Sequence, residues 1–412
     1  MTAAPSPPRI DAGWLKEGAL ARLLALIDRE GEEARVIGGA VRNALLGEPL
    51  GDIDIATTAV PQVVIRRVEA AGFKAVPTGI EHGTITVVAG GRPFEVTTLR
   101  EDIETFGRRA KVAFGRDWRR DAERRDFTMN ALSIAADGTI YDYVGGLADL
   151  KARRLRFIGD PAVRIAEDYL RILRFFRFHA AYGEGAPDPA GLAACIAARA
   201  GLEGLSRERV RMEVLKLLPA RHAVPTLAVM TEAGLLETVL GGVPLLASFS
   251  NMAKLETALS LQADPVRRLG ALGLSVVEDA ERLRERLRLA NAEHERLVSM
   301  ADQWWQLSPA CGGQAARAAL YRLGREKFTD RVLLAWSRSP QGIADARWRE
   351  LATLPGRWTA PRFPLKAADF LGRGVPKGPT LGAALRRAEE AWIAADFPMD
   401  ARALDEIIAQ AA

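Results

Sequence analysis

The stretch that most constrains this chain runs from Arg35 to Ala56. Arg35-Val36-Ile37 is a short apolar run that reads as a buried strand, and it halts at Gly38-Gly39. Val41 to Leu46 then has helical spacing and ends at Gly47, a helix stop. A strand that breaks at two glycines into a helix leaves backbone N–H groups unpaired and lets a ligand come close. That geometry suits a phosphate, although a plain turn leaves the same signature. In Asp52-Ile53-Asp54-Ile55, alternation along a strand puts both carboxylates on one face and both isoleucines in the core. The carboxylates repel each other, so the pair is either a solvated strand face or the cradle of a divalent cation.

GGAVRNALLG followed by DIDIA resembles the signature of class II tRNA nucleotidyltransferases and bacterial poly(A) polymerases, within the polymerase-β-like nucleotidyltransferase superfamily. Asn43 stands where that family usually carries Asp, and its amide still caps or hydrogen-bonds, so the expected effect is structural. The resemblance implies that Gly38, Gly39 and Arg42 hold a triphosphate and that Asp52 and Asp54 are catalytic ligands of two Mg2+ ions. Glu95, between Phe94 and Val96, points away from the core; it is either a solvated strand residue or a third catalytic carboxylate beside the first two.

At 412 residues the chain exceeds one ordinary domain and suggests roughly two to four. Its net charge is only +5, so an RNA partner needs local basic patches rather than a basic whole. Cys195 and Cys311 are far apart and lack a Cys-x-x-Cys neighbour, and the four histidines form no ligand-spaced cluster. This predicts buried thiols in a reducing, cytoplasmic setting, with neither zinc site nor disulfide framework. Met1 to Ile10 reads as a loose tail rather than a signal peptide, and no stretch approaches the apolar length of a membrane span.

Pro61 to Ala71 reads as an amphipathic helix, while 73–76, 84–88 and 94–97 read as strands. After Val144-Gly145-Gly146 strand signals fade and helical spacing dominates. The expected fold is α+β: a nucleotidyltransferase head of mixed sheet plus helices over 1–146, then an all-helical neck (147–218), body (219–335) and tail (336–412). Residues 100 to 125 carry many charges of both signs and read as a solvated surface loop. By resemblance this is the flexible loop that helps switch from adding C to adding A.

Arg124-Arg125-Asp126-Phe127-Thr128-Met129-Asn130-Ala131 resembles the family's RRDFTxNA motif, which implies a nucleotide contact for Arg125 and a ribose contact for Asp126; Asn130 to Leu132 read as packing. Asp160-Pro161 opens a helix predicted to continue through Phe178, with Asp168 and Arg171 as neighbours at i and i+3. Taken alone the pair is an ordinary intrahelical ion pair, but the string resembles the family's EDxxRxLR motif. An acceptor-only Asp beside a donor-only Arg matches the exocyclic amine and ring nitrogen shared by cytosine and adenine, and opposes uracil and guanine. Arg174 and Arg177 serve the triphosphate by resemblance. Ser206, Arg209 and Glu213 read as a capped helix with an i,i+4 ion pair that braces the neck. The run Glu281 to Val298, rich in Arg, reads as a solvated helix face or an RNA contact, and 363–365 with 376–382 resembles the family's tRNA-facing tail.

The resemblance thus implies an enzyme that adds C and A from CTP and ATP to the tRNA 3′ end without a template, releasing pyrophosphate. No obligate protein partner is expected. The nearest alternatives are a poly(A) polymerase, for which a basic extension is expected beyond Leu404 to Ala412, and an enzyme adding only CC or only A.

Overall fold

The glycine pair behaves as its residues dictate. In the computed structural model, which describes residues 7–16, 18–106 and 109–412 with backbone alone over 101–113, strand β1 (Ala34–Ile37) is buried along its whole length. Gly38 then turns at φ +67°, a conformation that favours glycine, into the helix Gly39–Leu46. That helix ends on Gly47 in the left-handed conformation, whose N–H caps the last carbonyls.

The remaining strands are β2 (Asp54–Thr57), β3 (Lys74–Gly79), β4 (Thr84–Ala89), β5 (Arg92–Thr98), β6 (Arg100–Phe106), β7 (Arg109–Phe114), β8 (Ser133–Ala135) and β9 (Ile140–Tyr141). Seven of them form one mixed sheet in the order β3-β4-β5-β2-β1-β8-β9. Its one parallel pairing, β2 with β5, sets Asp54 opposite Glu95, while β1 runs antiparallel to β2 with Ile37 opposite Asp54. The helices Gly18–Ile27 and Pro61–Ala70 pack on each other and against this sheet. Ile55, Val36, Val87 and Val96 are essentially without solvent contact, which is where the predicted alternation sends the apolar positions.

After β9 every regular element among the described residues is helical, so the α+β head followed by a helical remainder stands. The chain divides into two compact units, Met1–Leu235 and Leu236–Ala412. Head, neck, body and tail would be a finer division than this one. No helix among the described residues is long and apolar enough to cross a membrane.

Three local expectations are corrected. Residues 100–114, expected as a loop, pair their backbones as an antiparallel hairpin of β6 and β7; the expected loop residues Gly107 and Arg108 lie outside the described residues, as do Met1 to Ser6 of the expected tail. The helix expected to run from Pro161 to Phe178 is two helices, Pro161–Glu167 and Leu170–Tyr182, because Asp168 adopts an extended conformation between them. The run from Glu281 is likewise broken, at Arg288 (φ +49°), into Val277–Leu287 and Asn291–Ala301. Its arginines are not all solvated: Arg282 pairs with Asp279 at 2.7 Å, and Arg296 reaches the fully buried Asp330 at 2.7 Å.

Candidate active site

Two groups of side chains meet at the C-terminal end of β1. The first is acidic. Asp52 is exposed just ahead of β2, Ile53 is buried, Asp54 is half-buried at the strand's first position and Ile55 is buried, so the alternation extends one turn of pleat beyond the paired strand. Exposed Glu95 stands opposite Asp54 on β5. Burial, then the charges of Glu95 and Asp52, push the Asp54 carboxyl up to about 6, with Arg125 pulling it down. Three carboxylates are thus close enough to repel. Among the described residues no three His, Cys, Asp or Glu side chains converge as a ready-made metal cage. The donors are instead open and all-oxygen, a set that suits Mg2+, which keeps several waters and takes phosphate oxygens.

The second group is a cavity of about 520 Å3 that brings together nine of the predicted residues: Gly38, Gly39, Arg42, Arg125, Asp126, Asp168, Arg171, Arg174 and Arg177. Asp52, Asp54 and Glu95 are not in its wall; Arg125, which is, couples it electrostatically to Asp54. Phe127 explains how the Arg-Arg-Asp motif reaches the cavity. It is fully buried, 4.8 Å from the Phe157 ring and 5.6 Å from that of Phe178, and so pins the motif against the helix Leu170–Tyr182. Across that contact Arg174 donates Nε to Asp126 Oδ2 at 2.7 Å. Burial opposes the charge on Asp126, but the Arg174 guanidinium, with the Phe127 N–H and the Asn130 amide, outweighs it and holds the carboxyl below its usual range. Asp126 Oδ1 also accepts from Phe127 N at 2.9 Å, so a ribose hydroxyl would have to share an already engaged carboxylate.

The ion pairs expected at Asp168 and Arg209 are rearranged. Arg171 pairs with Glu167 and donates to the Arg164 carbonyl at 2.7 Å, leaving its Nε and Nη2 without a protein acceptor among the described residues. Asp168 accepts from Arg209 Nη2 at 2.6 Å and from Leu170 N at 3.1 Å. The Asp168–Arg171 ion pair is therefore absent, since the extended backbone at Asp168 removes the helical i,i+3 geometry; both residues still face the cavity. Ser206 caps its helix through Arg209 N as expected, but Arg209 turns to Asp168 and Glu213 turns to Arg177 instead of pairing with each other.

Arg42 is only 5% exposed and has neutral partners: Asn130 Oδ1, Asn43 Oδ1 at 3.0 Å and Tyr182 Oη at 2.8 Å, with its guanidinium 3.8 Å from the Tyr182 ring centre. Burial lowers its pKa, Tyr182 offsetting part of the effect. Asn43 donates in turn to the Pro49 carbonyl at 2.9 Å, the structural role expected for the amide. Asn130, read from sequence as packing, is thus part of the site, as are Arg124 and Arg209, which also line the cavity. The signal for Asn130 was its place in RRDFTMNA; nothing in the sequence pairs Arg209 with Asp168. In all, seven arginines line the cavity, against five carboxylates that pair with them (Asp121, Asp126, Glu167, Asp168 and Glu213). The surplus, together with the uncapped start of the helix Gly39–Leu46, favours a polyanion.

Comparison with known proteins agrees with this geometry. A family model described as the poly A polymerase head domain matches residues 34–156, and one described as the probable RNA and SrmB-binding site of polymerase A matches 186–249. The chain is 34% identical to the mitochondrial CCA tRNA nucleotidyltransferase 1 of Danio rerio, over 92% of this chain and 88% of that protein. It is 31% identical to a CCA-adding enzyme of Limosilactobacillus fermentum over 94% and 96% of the two chains. The crystal structure of the Bacillus stearothermophilus CCA-adding enzyme in complex with CTP superposes with a TM-score of 0.73 at 26% identity, covering 94% of this chain and 96% of that one. With the head motifs, the arginine-lined cavity and similarity over most of the chain's length all in agreement, this chain belongs to the family of class II CCA-adding tRNA nucleotidyltransferases and poly(A) polymerases.

Proposed function

We propose that this chain adds C and A, taken from CTP and ATP, to the 3′ end of tRNA without a nucleic-acid template and releases pyrophosphate. The observation that carries this reading is the pairing of spare valences at one cavity wall. Asp168 is held by Arg209 and Leu170 N yet keeps lone pairs for an exocyclic amine, and Arg171 keeps Nε and Nη2 for a ring nitrogen. Cytosine and adenine satisfy both; uracil and guanine present a carbonyl to the carboxylate and an N–H to the guanidinium.

Each other residue then has a task. Gly38 and Gly39 leave the backbone open to the triphosphate, Arg42 and Arg125 supply donors to its oxygens, and Arg174 and Arg177 add charge. Phosphate contacts of this kind bind every nucleotide alike, so base choice falls to residues 168 and 171. Asp52 and Asp54 would hold Mg2+, whose chemistry when bound is Lewis-acid stabilisation of charge on the reacting and leaving oxygens. Glu95 faces Asp54 and raises the negative field there. The tRNA 3′-hydroxyl attacks the α-phosphate, its O–P bond forming as the bond to pyrophosphate breaks. The finer division into head (1–146), neck (147–218), body (219–335) and tail (336–412) belongs to the same reading. So does a reducing, cytoplasmic setting, in which the unpaired Cys195 and Cys311 remain thiols.

The test is kcat/KM for all four NTPs in wild type and in Asp168→Ala. Loss of a hydrogen bond to a charged group is worth about 1.5–3 kcal/mol, so CTP and ATP should each lose roughly ten- to a hundredfold while UTP gains ground. An unchanged preference for C and A in the variant contradicts the reading.

A further inference from the structure

The second unit contains a cavity of about 630 Å3 that shares no lining residue with the nucleotide cavity. It is bounded by the start of the helix Leu246–Ala258, the loop at Ser275, the short turn at Trp304 and the end of the helix Gly312–Arg338. Arg338 is its only charged lining residue; of the four serines beside it, Ser337 Oγ donates to the Leu334 carbonyl at 2.8 Å, Ser339 Oγ to the Gln341 carbonyl at 3.2 Å and Ser248 Oγ is 3.0 Å from Ser337 Oγ, so among the described residues Ser275 has the free hydroxyl. Among the described residues that arginine makes no ion pair. Its Nε donates to Ser248 Oγ at 3.3 Å and its Nη2 to the Leu274 carbonyl, while the guanidinium lies 4.8 Å from the Trp304 ring centre. Asp279, whose charge favours that of Arg338, is already engaged by Arg282 at 2.7 Å. Burial weighs on the Arg338 charge and pushes its pKa down to about 10, Asp279 pulling it back only in part.

A second, independent feature points the same way. The helix Leu246–Ala258 has 13 residues, no acidic residue in its first turn and no side-chain cap, and its first turn lines the cavity. Its free N–H groups and positive dipole end therefore add to the field of Arg338. A guanidinium without a counter-ion, an uncapped helix start and the Ser275 hydroxyl around one space are the complement of a tetrahedral oxyanion.

We propose that this cavity is a phosphate site distinct from the nucleotide cavity, with Arg338 as its anchoring cation. The phosphate is either a phosphodiester of the bound RNA, which rests on the reading of tRNA as substrate, or a free phosphate or nucleotide phosphate, which does not. The Ser275 hydroxyl and the helix N–H groups bind the oxygens, and the Trp304 ring fixes the plane of the guanidinium.

Two variants of the full chain test it. Arg338→Gln removes the charge, and Ser275→Glu leaves Arg338 and its packing in place while setting a carboxylate in the exposed rim of the cavity to compete for it. Affinity for tRNA trimmed of its terminal CCA is measured against salt, and Trp304 fluorescence, taken as wild type minus Trp304→Phe, is followed while inorganic phosphate is added. If an RNA phosphodiester occupies the site, both variants weaken tRNA binding and make the log–log salt slope shallower by about 0.9, one phosphate contact. If free phosphate does, the salt slope is unchanged but the phosphate-dependent Trp304 signal disappears in both. Should Arg338→Gln fail to fold, Ser275→Glu alone carries both measurements. A wild-type salt slope together with a Trp304 signal that ignores phosphate overturns the proposal. Normal CCA addition by the same preparations then shows that the site alone has failed, whereas absent addition by wild type counts against the functional reading instead.

Discussion

At the scale of single residues the account turns on Asp54. A carboxyl whose pKa is raised by folding keeps a proton in the folded chain that the unfolded chain releases. Stability contributed this way is present at acid pH and is lost as pH climbs from the unfolded value of 3.8 to about 6. Asp54→Asn removes that titration. In metal-free buffer it should melt higher than wild type at neutral pH, and the advantage should vanish in acid, while nucleotide transfer is abolished and tRNA binding stays nearly intact. Added Mg2+ should raise the melting temperature of wild type and not of the variant. Melting curves across pH, with and without Mg2+, read both effects; identical behaviour of the two proteins contradicts the assigned role. The strand alternation that isolates Asp54 was legible because period two needs only its own neighbours. Its raised pKa was not, because it comes first from burial within the folded chain and then from Glu95, which reaches it through the parallel pairing of β5, 41 positions along the chain.

Among elements, the break between Pro161–Glu167 and Leu170–Tyr182 matters most. The residues Glu167-Asp168-Tyr169 include neither Gly nor Pro, so local rules continue the helix, and the predicted i,i+3 pair follows from that continuation. Tertiary contacts override it. Arg209 holds Asp168 from the helix Arg207–Leu217, and Tyr169 packs so closely on Gly201 that a Cβ there would lie 2.0 Å from the ring. Gly201→Ala should therefore displace Tyr169, destabilise the first unit by about 1–3 kcal/mol and loosen Asp168, so that discrimination against UTP falls while affinity for triphosphate is kept. Urea unfolding and kcat/KM for CTP and UTP measure the two parts; a variant as stable and as selective as wild type contradicts this role for the break. The place of Arg125 and Asp126 at the cavity was legible because the motif is contiguous, with Phe127 burying itself beside them. Partner choice among Arg174, Arg177, Arg209 and Glu213 was not legible, since helical spacing says which residues share a face and not which helix arrives opposite.

For the whole molecule, the second unit is held by charges as well as apolar packing. Fully buried Asp330 accepts from Arg267 Nε at 2.7 Å and from Arg296 Nε at 2.7 Å, and buried Glu256 pairs with Arg267 and Arg268. Removing one partner strands buried charge, so Asp330→Ala should destabilise that unit by about 3–5 kcal/mol, seen as an earlier urea transition; an unchanged transition contradicts the network's role. Binding of tRNA by the full chain should depend steeply on salt and little on anticodon sequence, as phosphate contacts do. The head-then-helices order was legible because strand and helix periods differ so plainly, whereas a buried Arg-Glu-Asp network leaves the same letters in a sequence as a solvated face. The most direct test of the whole account is to incubate the full chain with tRNA trimmed of its terminal CCA, supply CTP and ATP singly and together, and sequence the 3′ ends. The account predicts C-C from CTP alone, C-C-A with both, a stop after the A, and no growth with UTP or GTP. A long run of A from ATP alone, or incorporation of U or G at comparable rates, contradicts it.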